Sequence, residues 1–200
     1  MNRFIFLAIY ILLCCSCGNS QKNTVPAPVY SDTTTVYFNS TAAMKSSKIP
    51  DSVFLMRNLE TLSITGMDCD YRQFDKDGKD ITQCWAVSEI PKQIGSLVNL
   101  QNISLTVNNV HELPAEMNAL HKLKLLDLTD NPSVKNIEVV TTLTSLEELY
   151  LYGCQMTTLP ANIGALRHLK KLGLTGNYLT DKELERIKKA LPGCVVVFSK

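Results

Sequence analysis

The chain has 200 residues, 45% of them hydrophobic and 20% charged, which suits one domain or one domain with a tail. Its 20 Lys and Arg against 19 Asp and Glu leave a net charge of +1, too weak a field to hold a phosphate backbone, so nucleic-acid binding is set aside. With 9 Gly and 8 Pro it is neither collagen-like nor disordered throughout.

Residues 1–17, MNRFIFLAIYILLCCSC, carry one charge, Arg3, followed by an unbroken apolar run from Phe4 to Leu13. That run falls short of the roughly 20 residues a helix needs to cross about 30 Å of hydrocarbon. A charged start, a short apolar middle and small residues at the end predict a secretory signal. The finish, Ser16-Cys17-Gly18-Asn19-Ser20, resembles a bacterial lipoprotein processing site, where the Cys becomes the lipidated first residue of the mature chain. Ser16 favours Cys17, with Cys15 second. Cys14 departs from the pattern, which prefers Leu there, and a plain cleaved signal peptide is the alternative. The resemblance implies a signal peptide over residues 1–16 and a lipid-anchored protein of a bacterial cell envelope. The outer membrane is the expected site, with the periplasmic or surface face left open. Loss of Arg3 would leave 19 basic and 19 acidic residues, so acyl chains rather than charge would hold the protein to its membrane. The stretch from Cys17 through residue 35 is polar, Pro-containing and aperiodic, and is read as the lipidated Cys and a flexible tether.

The remainder repeats every 23 residues. Leu100-x-x-Ile103-x-Leu105-x-x-Asn108, Leu123-x-x-Leu126-x-Leu128-x-x-Asn131, Leu146-x-x-Leu149-x-Leu151-x-x-Cys154 and Leu169-x-x-Leu172-x-Leu174-x-x-Asn177 align without gaps. Leu113-Pro114, Met117 and Leu120 complete the first unit, and Leu159-Pro160, Ile163 and Leu166 the third. This pattern, L-x-x-L-x-L-x-x-N/C-x-L, resembles the leucine-rich repeat family. Leu59 to Met67 opens a further unit, whose second half at Ile90-Pro91, Ile94 and Leu97 is displaced by an 18-residue insertion over residues 70–87. Ile49-Pro50, Val53 and Met56 close a unit whose first half, near Val36 to Met44, is degenerate. About six units therefore cover residues 36–191.

The resemblance implies an α/β solenoid with a curved, parallel concave sheet and short helical or extended convex segments. Its leucines form one continuous core that no unit could bury alone. Asn108, Asn131 and Asn177 are expected to bond the backbone of the neighbouring turn, with Cys154 taking the same place. Asp181 to Leu191 has Leu184, Ile187 and Leu191 at helical spacing, Thr180 or Asp181 can cap its start, and Val195 to Phe198 is a strand run. Residues 181–200 are thus read as a polar-faced cap of helix plus strand.

Chemistry is sparse. An envelope location allows disulfides, and Cys69 and Cys84 bracket the insertion. A bridge between them is expected on sequence proximity, closing a loop worth about 3 kcal/mol in the chain-entropy view; two unpaired cysteines are the alternative. Asp75, Asp77 and Asp80 around Gly78 invite a calcium reading, but a full calcium loop would not place Lys79 fifth and Ala86 twelfth. Asp77-Gly78 between Phe74 and Ile81 predicts a hairpin turn instead. His111, His121 and His168 fall off the strands, and no triad or phosphate loop accompanies them. No enzyme activity, cofactor or metal is expected.

The strand residues between the leucines face outward on the concave side. Most are small and polar, but Leu125, Tyr150 and Tyr152 are large and lie on adjacent strands with Asp127 and Glu148 alongside. These five form the candidate partner-binding patch, tyrosine being favoured at interface hot spots. Sheet-favouring filler is the competing explanation. The family resemblance implies protein–protein binding through this face. A passive adhesin or scaffold that binds a host surface or glycan is the alternative.

Overall fold

The computed structural model describes residues 34–38, 46–66, 68–69, 74–79 and 84–199, with the backbone alone at 68, 69 and 84. The expected signal peptide, the lipidation site Cys17 and the tether up to residue 33 lie outside the described residues.

Seven strands form one parallel sheet: β1 (Thr35–Phe38), β2 (Thr61–Ile64), β5 (Asn102–Ser104), β6 (Leu125–Asp127), β7 (Glu148–Tyr150), β8 (Lys171–Gly173) and β9 (Val195–Val197). The insertion contributes β3 (Asp68–Cys69) and β4 (Cys84–Trp85), a separate antiparallel pair. The register of the main sheet follows the repeat, so Val36, Leu62, Ile103, Leu126, Leu149, Leu172 and Val196 form one row across it. From Leu62 to Leu172 this row is fully buried, as are the flanking leucines at 100, 123 and 146. Each strand is short because the chain must turn away once its Leu-x-Leu has delivered two side chains to the core.

On the convex side the chain returns through single 3₁₀ turns at Asp51–Leu55, Lys92–Ser96, Ala115–Ala119, Glu138–Thr142 and Ile163–Ala165. Three of them follow Pro50, Pro91 and Pro114, whose fixed φ near −65° pre-sets the turn and whose carbonyls accept from Val53, Ile94 and Met117 N–H. One turn suffices to bury the apolar residue in its middle, such as Ile94, Met117 or Val140. The sheet, being continuous on one side and faced by short turns on the other, curves as a leucine-rich solenoid does.

The asparagines couple consecutive units. Asn131 is fully buried; its Oδ1 accepts from Val110 N–H at 3.0 Å and its Nδ2 donates to Leu105 O at 2.7 Å and Leu128 O at 2.9 Å. Asn108 accepts from Val87 N–H and donates to Ile64 O, and Asn177 accepts from Met156 N–H and donates to Leu151 O. Cys154 occupies the same place with its Sγ donating to Leu128 O at 3.1 Å. The residue just before each of these four, Val107, Asp130, Gly153 and Gly176, has positive φ. The turn out of the strand therefore demands a left-handed residue, which glycine meets without strain and valine does not.

In the insertion, Asp75 to Gly78 make a tight turn. Asp75 Oδ1 accepts from Asp77 N–H at 2.9 Å and Lys79 N–H at 3.0 Å, and Gly78 has φ 77°. The Asp75 carboxylate is thus taken up by its own backbone.

The chain closes with helix α1 (Asp181–Ala190), whose first turn is capped by Thr180 Oγ1 accepting from Glu183 N–H. Leu184 and Ile187 are buried beneath it. Glu183 also accepts from Leu159 N–H and the Thr158 hydroxyl and pairs with Arg186, whose guanidinium donates to Leu159 O. These contacts fasten α1 to the convex segment of the preceding unit. The following strand β9 joins the sheet in parallel with β8. Its outward side chains are not polar as the capping argument anticipated: Val195 is 64% and Val197 36% exposed.

Two expectations are corrected. No disulfide is present among the described residues, where Cys154 and Cys194 are free thiols. The bridge inferred between Cys69 and Cys84 rested on sequence proximity, which does not supply the particular geometry a disulfide requires. β3 and β4 place the two backbones opposite each other, and their side chains lie outside the described residues. Placement in a membrane likewise gains no support from a spanning element: among the described residues no helix is long and apolar enough to cross a membrane.

Candidate binding surface

The concave face divides into two halves of different chemistry. Across β2 and β5 it is lined by small hydroxyls and amides that bond one another across strands, with Tyr37 exposed on β1 at the edge. Asn102 Nδ2 donates to Thr61 Oγ1 at 3.2 Å, and the Thr65 and Thr106 hydroxyls lie 3.4 Å apart. Pairing of this kind leaves little unspent for a partner.

The half centred on β7 is aromatic. Side chains two apart on a strand share a face, so Tyr150 and Tyr152 stand side by side with ring centroids 5.7 Å apart and planes 17° from parallel. The Tyr150 hydroxyl donates to Glu148 Oε2. In the register of β7 and β8, Glu148 faces Lys171 and Tyr150 faces Gly173. Lys171 Nζ sits 5.1 Å from the Tyr150 ring centroid, in cation–π range. The hydrogen bond to Glu148, followed by burial, pushes the Tyr150 phenol up from its ordinary value. The contact with Tyr150 likewise holds the Lys171 ammonium above its ordinary range. At neutral pH Tyr150 is therefore a protonated phenol gripped between a carboxylate and an ammonium.

Gly173 decides where Tyr152 lies. A Cβ added at Gly173 would stand 2.3 Å from Tyr152 Cζ, so the ring fills the space a side chain would take. Tyr152 leans across β8 because that position is bare.

Of the five residues singled out by sequence, Glu148, Tyr150 and Tyr152 come together in this cluster. Leu125 is half-buried one strand away and faces Glu148. Asp127 faces Tyr150, but its Oδ1 accepts from Thr129 N–H at 2.9 Å and is committed to the chain's own turn. Sequence reasoning passed over Lys171 and Gly173. Their signal was their place one unit beyond Glu148 and Tyr150. Among the described residues no group of three or more His, Cys, Asp or Glu is placed to hold a metal ion.

Residues 81–200 match the family model described as a leucine-rich repeat region. No curated protein matches the chain. Among solved structures, it is similar to a leucine-rich repeat protein of Leptospira interrogans at 29% identity and a TM-score of 0.61, over 76% of this chain and 34% of that one. It also resembles the Arabidopsis receptor kinase HAESA, solved in complex with the peptide hormone IDA and the co-receptor SERK1. That match has 24% identity and a TM-score of 0.52, over 76% of this chain and 23% of that one. The repeat domain of the type III effector XopL matches at 21% identity and a TM-score of 0.54, over 76% of this chain and 57% of that one. The chain spans about a third of the length of the Leptospira protein and about a quarter of the receptor-kinase chain. With a 23-residue period, a parallel sheet in matching register and a family model over more than half its length, the chain belongs to the leucine-rich repeat family.

Proposed function

We propose that this is a lipid-anchored protein of a bacterial envelope that binds a protein partner on its concave face, with Tyr150 and Tyr152 as anchors. The observation that carries the reading is the stacked tyrosine pair, set on a rigid sheet and fixed by Glu148, Lys171 and the bare Gly173. Aromatic side chains already held in one rotamer lose little entropy when a partner covers them, and this favours them as hot spots. Leu125 extends the apolar part of the patch, Glu148 gives its acidic border, and Asp127 adds only the carboxylate oxygen that does not accept from Thr129 N–H. The receptor-kinase structure, in which a related fold is in complex with a peptide hormone, lends support by analogy of fold. The anchor rests on Ser16-Cys17-Gly18, and the bacterial setting on that motif together with the likeness to the Leptospira protein.

Cross-linking capture with wild type and Tyr150→Ala/Tyr152→Ala tests the binding site. A partner enriched by wild type and lost with the double variant supports the reading. Equal capture by both removes the patch, and broad weak binding to surfaces or glycans favours the passive adhesin. Cys17→Ser tests the anchor. It should abolish fatty-acid labelling and release the protein from the membrane fraction, and persistent labelling would rule Cys17 out.

A further inference from the structure

Among the described residues β9 is the last strand of the sheet, bonded to β8 and to no other. Its pairing shows which backbone groups are spent. Val195 N–H donates to Lys170 O and Leu174 N–H donates to Val197 O, so Val195 and Val197 turn toward β8. Backbone direction alternates along a strand, and Val196 consequently directs both its N–H and its C=O to the open edge. The core is open there as well. Val196 and Phe198 are only partly buried, whereas Leu172 and Leu174, their counterparts one unit inward, are fully buried; Cys194 is likewise only partly buried.

Sheet edges ordinarily carry lysine, proline or a bulge that blocks pairing. This one reads Val195-Val196-Val197 and no charge occurs from Gly193 to Ser199. The run is also its own reverse. About a two-fold axis through Val196, an antiparallel partner of the same sequence sets Val196 against Val196 and Val195 against the partner's Val197. The two facing residues on the axis exchange both of their outward hydrogen bonds. Every exposed cross-strand neighbour is then valine on valine. A net charge of +1 opposes such an approach only weakly.

We propose that β9 is a self-association edge, and that two copies of the chain pair antiparallel through Val196 into one continuous sheet with closed two-fold symmetry. The occupant is a second copy because the strand is complementary to itself in both side chains and backbone. An unrelated partner would have no reason to share its symmetry.

Analytical ultracentrifugation of the purified full chain tests the proposal. Wild type should sediment as a dimer. Val195→Lys/Val197→Lys should weaken it about tenfold or more, since two lysine pairs then face each other directly. Both valines are exposed, so circular dichroism and melting temperature should stay unchanged and separate lost pairing from lost folding. On mild oxidation Val196→Cys should give a disulfide between the introduced thiols of two copies, identified by peptide mass spectrometry. Val195→Cys should not, because it faces the partner's Val197. A monomeric wild type, a dimer indifferent to the lysines, or equal cross-linking from positions 195 and 196 would each overturn the proposal.

Discussion

Replacing Asn131 with Ala should cost far more than replacing Cys154 with Ala, although both occupy the same place in the repeat. The difference follows from which groups each side chain alone satisfies. Asn131 bonds Val110 N–H, Leu105 O and Leu128 O, with a longer contact to Thr129 O at 3.3 Å. Leu128 O is shared with Cys154 Sγ, and Thr129 O also accepts from Val107 N–H. Val110 N–H and Leu105 O are the two that lean on the amide. Each buried group left without its partner costs about 1–3 kcal/mol, so Asn131→Ala should destabilise by about 4 kcal/mol. Cys154 donates to Leu128 O and Tyr152 O, and each of these keeps another donor, Asn131 Nδ2 and Asp130 N–H. Cys154→Ala then loses little beyond a small packing volume, about 1 kcal/mol. At about 2–4 °C per kcal/mol for a domain of this size, the two variants should melt roughly 10 °C apart in a calorimeter. Equal melting temperatures, or a loss below about 1 kcal/mol for Asn131→Ala, would refute the ladder reasoning.

Other consequences are open to direct measurement. Gly173→Ala should push the Tyr152 ring off β8, changing the near-ultraviolet dichroism of the stacked pair and weakening partner capture with the far-ultraviolet spectrum intact. An unaltered tyrosine signal would show that the ring does not depend on the bare position. Val107 is a β-branched residue at φ 55°, so Val107→Gly should relieve about 1–2 kcal/mol of strain against about 0.5–1 kcal/mol of added chain entropy. The variant should melt slightly higher than wild type, and a lower midpoint would contradict that account. Arg186 beside Glu183 holds its carboxyl down at about 2, against 4.5 for the free group. The unfolded chain therefore binds the extra proton between those values. The stabilisation is present above about pH 4.5 and lost as pH falls toward 2. Urea titrations across that window should show Glu183→Gln with the flatter dependence, and identical slopes would remove Glu183 from acid unfolding.

The repeat architecture was legible because its signal is redundant: Leu126, Leu149 and Leu172 recur at one spacing, and any of them predicts the others' burial. β1 was harder, since Val36 and Phe38 stand where interior units carry leucine or isoleucine, yet its register with Leu62 and Ile64 is that of the stack. The site was legible in outline only. Reading columns treats side chains as perpendicular to the sheet, and that picture cannot show Tyr152 leaning over Gly173. Nor could it show Asp127 turning back to Thr129 N–H, because an aspartate at a strand end serves its own backbone before any visitor. The cysteine inference erred for another reason: nearness along the chain constrains loop length and leaves side-chain geometry free.

The substitution of Cys154 in the ladder has an effect on the cooperativity of the whole array. A stack of repeats melts as a chain of nearest-neighbour couplings, and the number of bonds each interface shares sets how sharply one unit's opening spreads to the next. An asparagine clamps two units through a donor and an acceptor together, whereas the thiol of Cys154 offers its donor alone. Of the four interfaces built on Asn108, Asn131, Cys154 and Asn177, coupling is weakest at that of Cys154, and hydrogen exchange should divide there into a better-protected block on the side of residue 131 and a more readily opened one beyond. Tyr150 and Tyr152 belong to the same unit as Cys154, and Tyr152 reaches over β8 on the far side. A partner that covers Leu125 on β6 together with the tyrosines of β7 would bridge this softer joint, and its binding would be read out as protection gained in the C-terminal units.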